Sequence, residues 1–370
     1  MGLSDKYLAR ISQHSEREVF EFRQKQGIHP VYKAVDTCSA EFIAKTPYYY
    51  STYQSENEAV PFNQLGKRSV AILGSGPNRI GQGIEFDYSC VKASLTCQEM
   101  DYRSILINSN PETVSTDYDS SDRLYLSPIH REDVEEILRH ENPEGIITCF
   151  SGQSGITIRS NLEHDQYTSK YQFLGVPKEI LDLTEDREQF DLVLDEFDIS
   201  KTKTLSIKGP EKLKAAMKEI GLPVMVRPSF VIGGESMFIF HHYEEVDDMN
   251  PLVRDSLEKE NATLMVENYL EGATEYDVDL VRDKFGNTQF TICEHIEYAG
   301  VHSGDSGMVT PPILLTERLL GKVKKLSVAI AEKLGVVGPL NIQFAIMDQK
   351  IFCIEANPRG SRTLPFLDRK

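Results

Sequence analysis

The residues best suited to chemistry fall in two short runs, Asn341-Ile342-Gln343-Phe344-Ala345-Ile346-Met347 and Ile351-Phe352-Cys353-Ile354-Glu355-Ala356-Asn357. Side chains alternate between the two faces of an extended chain, so the polar members of each run share a face. A hairpin centred on Gln349 sets Gln343 opposite Glu355 and Asn341 opposite Asn357, bringing three amides and one carboxylate together. Magnesium is a hard cation that takes carboxylate, amide and phosphate oxygens. The set therefore reads as a bridge between a divalent metal and a nucleotide, with Gln343, Glu355 and Asn357 as metal ligands. A solvent face of an antiparallel sheet is the competing account, though such faces carry Lys, Thr and Arg more readily than amides. A slip of one residue in the pairing would scatter the set.

Pro358, Arg359, Arg362 and Thr363 follow directly. Two guanidinium groups a few residues past a metal site suit an anionic substrate and the charge that develops on a migrating phosphoryl group. Arg359 and Arg362, with Asn341, are the candidates for acting on the reacting atoms. As a charge pair the arginines also fit a solvated surface.

A second candidate is Val224-Met225-Val226-Arg227-Pro228, a buried strand with one cation, followed by a loop containing Gly233 and Gly234. A fixed guanidinium beside mobile backbone amides suits a triphosphate. The same pattern fits a hairpin turn with an exposed arginine. A third stretch, Gly74 to Gly83, is rich in glycine between a strand and a helix, but Arg79 stands where a dinucleotide fingerprint needs glycine. These glycines serve a tight turn more readily than a nucleotide.

The elements that must position these groups form two patterns. Strands at Ser69–Leu73, Arg103–Asn108 and Gly145–Phe150 alternate with helices over Gly83–Met100 and Arg131–His140, as a doubly wound parallel sheet requires. Later strands, at 222–228, 236–240, 263–269, 276–282, 288–295 and 341–348, mostly follow one another without helices. That is α+β with an antiparallel sheet. Ahead of both, Ser15 caps a helix stopped at Gly27, and Val31–Tyr53 lacks periodicity and is expected to be a packed, irregular arm. The expected division is a helical and irregular arm over 1–66, a Rossmann-like domain over 67–184 and a second domain over 185–370.

Composition narrows the function. A length of 370 residues exceeds what one core usually serves, and 40% hydrophobic with 26% charged residues is ordinary for a globular protein. No window approaches the about 20 apolar residues of a membrane span, and the first residues lack a signal-peptide pattern, so a cytoplasmic location without membrane contact is expected. The net charge of −17 repels a phosphate backbone and argues against nucleic acid as a partner. Six scattered cysteines show no metal-binding spacing and read as reduced thiols.

Four ordered strings, Gly76-Pro77-Asn78-Arg79-Ile80-Gly81-Gln82-Gly83-Ile84-Glu85-Phe86-Asp87-Tyr88, Asn110 to Asp119, Ala299 to Ser306 and Glu355-Ala356-Asn357-Pro358-Arg359, resemble the carbamoyl phosphate synthetase large subunit. The likeness is greatest to its second, carbamoyl-phosphate-forming half. It implies a pre-ATP-grasp domain followed by an ATP-grasp domain that transfers the γ-phosphate of ATP, with Mg2+ or Mn2+, to carbamate in arginine and pyrimidine biosynthesis. By position it implies that Arg187 and Arg227 meet nucleotide phosphates, Leu270 and Glu275 the adenosine, and Gly300, Val301, His302 and Ser303 the nucleotide edge. Asn268 stands near the nucleotide where this half commonly has histidine, and Phe150–Gly155 departs from the usual Gly-Gly-Gln-Thr loop. The partners implied are a glutaminase small subunit and a bicarbonate-activating half. A nucleotide-binding homologue without turnover and another ATP-grasp ligase are the alternatives.

Overall fold

The computed structural model describes residues 3–79, 82–163, 171–197, 199–228, 237–247, 263–301 and 303–365. Its contacts divide the chain into two units, 1–78 with 83–175 and 79–82 with 176–370.

The first unit opens with helices α1 (Asp5–Ser12) and α2 (Glu16–Lys25). Ser15 accepts a hydrogen bond from the Glu18 N–H while the Glu18 carboxylate accepts from the Ser15 N–H, a capping box, and Gly27 leaves the helix at φ 68°. Strands β1 (Val31–Ala34), β2 (Tyr48–Thr52), β3 (Ser69–Leu73), β4 (Arg103–Asn108), β5 (Arg123–Leu126), β6 (Gly145–Ile147) and β7 (Gln172–Leu174) make one sheet in the order β1-β2-β5-β4-β3-β6-β7. Among the described strands of this sheet, only the β1–β2 pair is antiparallel. Helices α3 (Ile84–Glu99), α4 (Arg131–Glu141) and α5 (Gly152–Glu163) cross between parallel strands. The central strands are apolar throughout because both faces are covered. Ala71, Leu73, Ile105 and Ile107 pack with Val134, Ile137 and Leu138, whereas Val70, Ile72 and Leu106 pack with Cys90 and Cys97.

The stretch expected to be an irregular arm instead supplies β1 and β2. Its order comes from distant partners rather than local pattern. Tyr48 pairs with Leu124 of β5, and the Tyr32 and Tyr125 rings meet edge to face at 4.8 Å. Arg23 of α2 bonds Asp5 and Glu136 in a buried site, which fixes the helical pair to α4.

The second unit begins with α6 (Lys178–Glu185) and α7 (Arg187–Asp195). Strands β8 (Thr204–Lys208), β9 (Val224–Pro228), β10 (Phe238–Phe240) and β11 (Thr263–Asn268) form an antiparallel sheet in the order β10-β9-β11-β8, with α8 (Leu213–Ile220) packed on its apolar face. Strands β12 (Thr274–Arg282), β13 (Thr288–Tyr298), β14 (Met308–Val309), β15 (Gly338–Met347) and β16 (Lys350–Asn357) form a second antiparallel sheet, ordered β14-β13-β12-β15-β16. One face, with Val278, Leu280, Ile342 and Phe344, is buried against Phe190 and Leu194 of α7 and against Val323 and Ile330 of α9 (Glu317–Lys333). Each such side chain contributes about 2 kcal/mol on burial, enough to hold the strand register. The opposite face carries polar residues beside a small apolar cluster. All six cysteines are free thiols, and no described helix is long and apolar enough to cross a membrane.

Candidate active site

The polar face of the five-stranded sheet is built around the β15–β16 hairpin. Its turn is Asp348-Gln349, both at positive φ (50° and 63°), between the paired residues Met347 and Lys350. That centre lies half a residue before Gln349, and a regular ladder from it would set Gln343 opposite Ile354. A β-bulge between the Phe344–Cys353 and Gln343–Glu355 pairs corrects the register, so Gln343 faces Glu355 and Asn341 faces Asn357, as expected from the sequence. Cys353 and Ala356 both enter the apolar core, which puts Ile354 and Glu355 in succession on the other side. The bulge aims the carboxylate.

Glu355 is exposed and accepts a hydrogen bond from the Asn357 amide at 2.7 Å. Asn357 in turn accepts from the Arg359 guanidinium at 3.4 Å, and Arg362 donates to the carbonyl of Ser303. Asn341 lies deeper, 2% exposed, with its amide nitrogen donating to Asp277 at 3.0 Å and Asp279 at 3.1 Å. Asp277 also bonds His295 at 2.9 Å, and His295 lies 3.7 Å from Glu275. Asp279 accepts from Ser361 at 2.7 Å and from Thr363. Burial, and then the neighbouring Asp277 charge, push the Asp279 carboxyl up to about 6. Burial also raises the Glu275 carboxyl, against the opposing pull of His295 and of the Gly300 N–H that it accepts at 3.4 Å.

Thr363 stood among the residues read after the hairpin, but Asp277, Asp279, His295 and Ser361 were not singled out from the sequence. The signal was there, because Tyr276-Asp277-Val278-Asp279-Leu280 alternates acid with apolar residue and must turn both acids to one face.

The remaining expected residues divide into groups. Leu270 joins Ala273, Ala299 and Ala345 in an apolar cluster packed with Met347, Phe352 and Ile354, immediately beside Gln343 along β15. Gly300 has φ 102°, and a Cβ there would meet the Tyr269 ring at 2.9 Å, so only glycine fits. Val301 is exposed next to it. Arg227 and Asn268 lie on the four-stranded sheet, where Arg227 forms an ion pair with Glu267 at 2.9 Å. Arg187 begins α7, and its side chain is outside the described residues, as are Gly233, Gly234 and His302. In the first unit, Gly74 and Gly76 serve packing. A Cβ at Gly74 would lie 2.5 Å from the Asn108 side chain, and the Gly76 N–H donates to Asn108.

One carboxylate and two amides are too few to cage a cation, and no group of three or more His, Cys, Asp or Glu is placed to hold one among the described residues. Such a set fits magnesium that arrives with phosphate oxygens, since magnesium keeps octahedral geometry through one or two carboxylates plus substrate and water. An apolar cluster beside the set suits a heterocyclic base.

Comparison with known proteins accords with this arrangement. Residues 66–183 match the family described as carbamoyl phosphate synthase preATP-grasp domain, and residues 186–368 the carbamoyl-phosphate synthase L chain, ATP binding domain. All of the chain aligns with the carbamoyl phosphate synthase large chain of Archaeoglobus fulgidus at 45% identity and with that of Neisseria meningitidis serogroup B at 43%, covering 34% of each relative. The chain thus spans about a third of the length of these relatives. Among solved structures, the biotin carboxylase domain of Hydrogenobacter thermophilus 2-oxoglutarate carboxylase, in complex with MgADP and bicarbonate, superposes with TM-score 0.63 at 18% identity, covering 81% of this chain and 66% of that one. The ADP complex of N5-carboxyaminoimidazole ribonucleotide synthetase gives 0.60 at 16%, covering 82% and 71%. At that identity the likeness speaks to fold, a pre-ATP-grasp domain followed by an ATP-grasp domain.

Proposed function

Because the chain belongs to the carbamoyl phosphate synthase large-chain family, we propose that it uses MgATP to phosphorylate carbamate, giving carbamoyl phosphate and ADP. The observation that carries this reading is the pairing of Gln343 with Glu355 and Asn341 with Asn357 on the polar face of the sheet. Gln343, Glu355 and Asn357 hold the cation, Mg2+ or Mn2+, which when bound neutralises charge on the β- and γ-phosphates. Arg187, Arg227, Gly233 and Gly234 surround the phosphates. Asn268, Leu270, Glu275 and the Gly300, Val301, His302 and Ser303 loop hold the adenosine. Arg359 and Arg362 orient the carbamate and meet the charge that develops as its oxygen bonds the γ-phosphorus and the bond to the β-phosphate oxygen breaks. Asn341 keeps the floor of the site in register.

A glutaminase subunit and a bicarbonate-activating half supply ammonia and the carbamate precursor in this reading. The partial reaction in reverse needs neither. Purified chain given MgADP and carbamoyl phosphate should release ATP and carbamate, read by a coupled ATP assay. MgADP binding with no ATP formed would instead make the chain a nucleotide-binding homologue without turnover.

A further inference from the structure

We propose that Asp279 is a positioning residue for the phosphoryl-accepting side: its buried carboxylate fixes Arg359 and Arg362 against the Gln343, Glu355 and Asn357 set. The inference rests on the phosphotransfer reading of the same site.

The ladder of β16 ends at Asn357, so the residues carrying both arginines lie beyond the last strand pairing. A pair of hydroxyls ties that segment to β12. Ser361 and Thr363 flank Arg362, both donate to Oδ2 of Asp279, and they lie 3.0 Å from each other. Ser361 also accepts the Thr363 N–H at 3.0 Å, which closes a small turn around the anchor. The other oxygen of the same carboxylate accepts from Asn341, whose strand position pairs with Asn357. One side chain on β12 therefore reaches both the strand that carries Gln343 and the segment that carries Arg362.

The chemistry of the anchor supports a positioning role. Asp279 is 1% exposed, and the donors to it in the structure are neutral. Burial holds its carboxyl at about 6, so it is ionised at neutral pH and able to accept from every one of them. Charged acceptors make stronger and more directional hydrogen bonds than neutral ones. An apolar residue would avoid the cost of desolvating a carboxylate. What an apolar residue lacks is the ability to hold two hydroxyls and an amide at fixed angles. Displacing a positioning group by about 1 Å can cost as much as about 100-fold in rate.

The test compares the parent with Asp279→Asn, Thr363→Val and Thr363→Ser in ATP formation from MgADP and carbamoyl phosphate. Asp279→Asn and Thr363→Val should lower kcat/KM for carbamoyl phosphate by about tenfold or more, with the MgADP dissociation constant within about twofold of the parent. Thr363→Ser, which keeps the hydroxyl, should recover parent values. If Asp279→Asn does not fold, the Thr363 pair carries the comparison. Equal loss of MgADP affinity and acceptor turnover, no loss at all, or a serine variant as poor as the valine one would overturn the inference. Should the parent itself form no ATP, the reaction assignment fails separately. Amide exchange over 358–365 then decides: faster in Thr363→Val and parent-like in Thr363→Ser upholds the anchor, and unchanged exchange in Thr363→Val refutes it.

Discussion

Two polar clusters in this chain are built from the same residue types, an aspartate with an asparagine, a serine and a threonine, and differ in what they leave open. In the first unit, Asp87 accepts from Asn108, Ser115 and Thr113, each at 3.0 Å, and all four residues are buried. The carboxamide oxygen of Asn108 is taken by the N–H groups of Gly76 and Ser109. That cluster closes on itself and cross-braces the glycine-rich turn, α3 and the loop after β4. On the polar face of the second unit, Asp279 and Asp277 close a similar network, but above it Glu355 remains exposed and Gln343 and Asn357 are only partly buried. Strings of equal family character thus do different work. A satisfied network specifies a conformation, and one with a carboxylate facing solvent can take a ligand.

The sharpest way to break this contrast is Asp87→Ala. It leaves three buried donors unpaired and should destabilise the first unit by about 4 kcal/mol, seen as a lower denaturant midpoint, with MgADP affinity of the folded protein unchanged. A variant as stable as the parent would dissolve the distinction.

The second acts on the floor of the site through pH. The Asp279 carboxyl titrates from an ordinary value of 3.8 to about 6 in the fold. At low pH both folded and unfolded chains hold the proton and the site costs nothing. As pH rises past the unfolded value and through about 6, the fold must carry a buried charge, a loss of about 3 kcal/mol that is complete above that range. Asp279→Asn should therefore gain about 3 kcal/mol relative to the parent between pH 4 and pH 7, measured by denaturation at each pH. A pH-independent difference would contradict the buried-charge account.

Glu355→Gln addresses the open cluster. It should cut ATP formation about 100-fold, equivalent to about 2.7 kcal/mol, while leaving the denaturation midpoint in place. The smallest effect lies at the hairpin turn, where Gln349 sits at φ 63°. Gln349→Gly should stabilise the hairpin by about 0.7 kcal/mol, visible as slower amide exchange in β15 and β16.

The closed and open clusters were not equally legible. The pairing of Gln343 with Glu355 followed from alternation and a hairpin centred on Gln349, yet the turn lies half a residue earlier and a bulge restores the register, a compensation the polar pattern does not reveal. The acids Asp277 and Asp279 were readable as an alternating pair. What they bind was not, since Ser361 and Thr363 are more than 80 residues away in sequence. Strands β1 and β2 escaped for a related reason: Tyr48–Thr52 is half-buried or exposed and has no period of its own, and its order depends on pairing with β5. Arg227, which the resemblance puts near phosphates, also pairs with Glu267, a partner no spacing rule would have joined to it.

The central claim is that Gln343, Glu355 and Asn357 share one divalent cation with a nucleotide. Electron paramagnetic resonance of Mn2+ titrated into the chain tests it directly. The account predicts weak Mn2+ binding alone, tight binding once ADP is added, and loss of that ADP-dependent signal in Glu355→Gln. Unchanged ADP-dependent Mn2+ binding in that variant would contradict it.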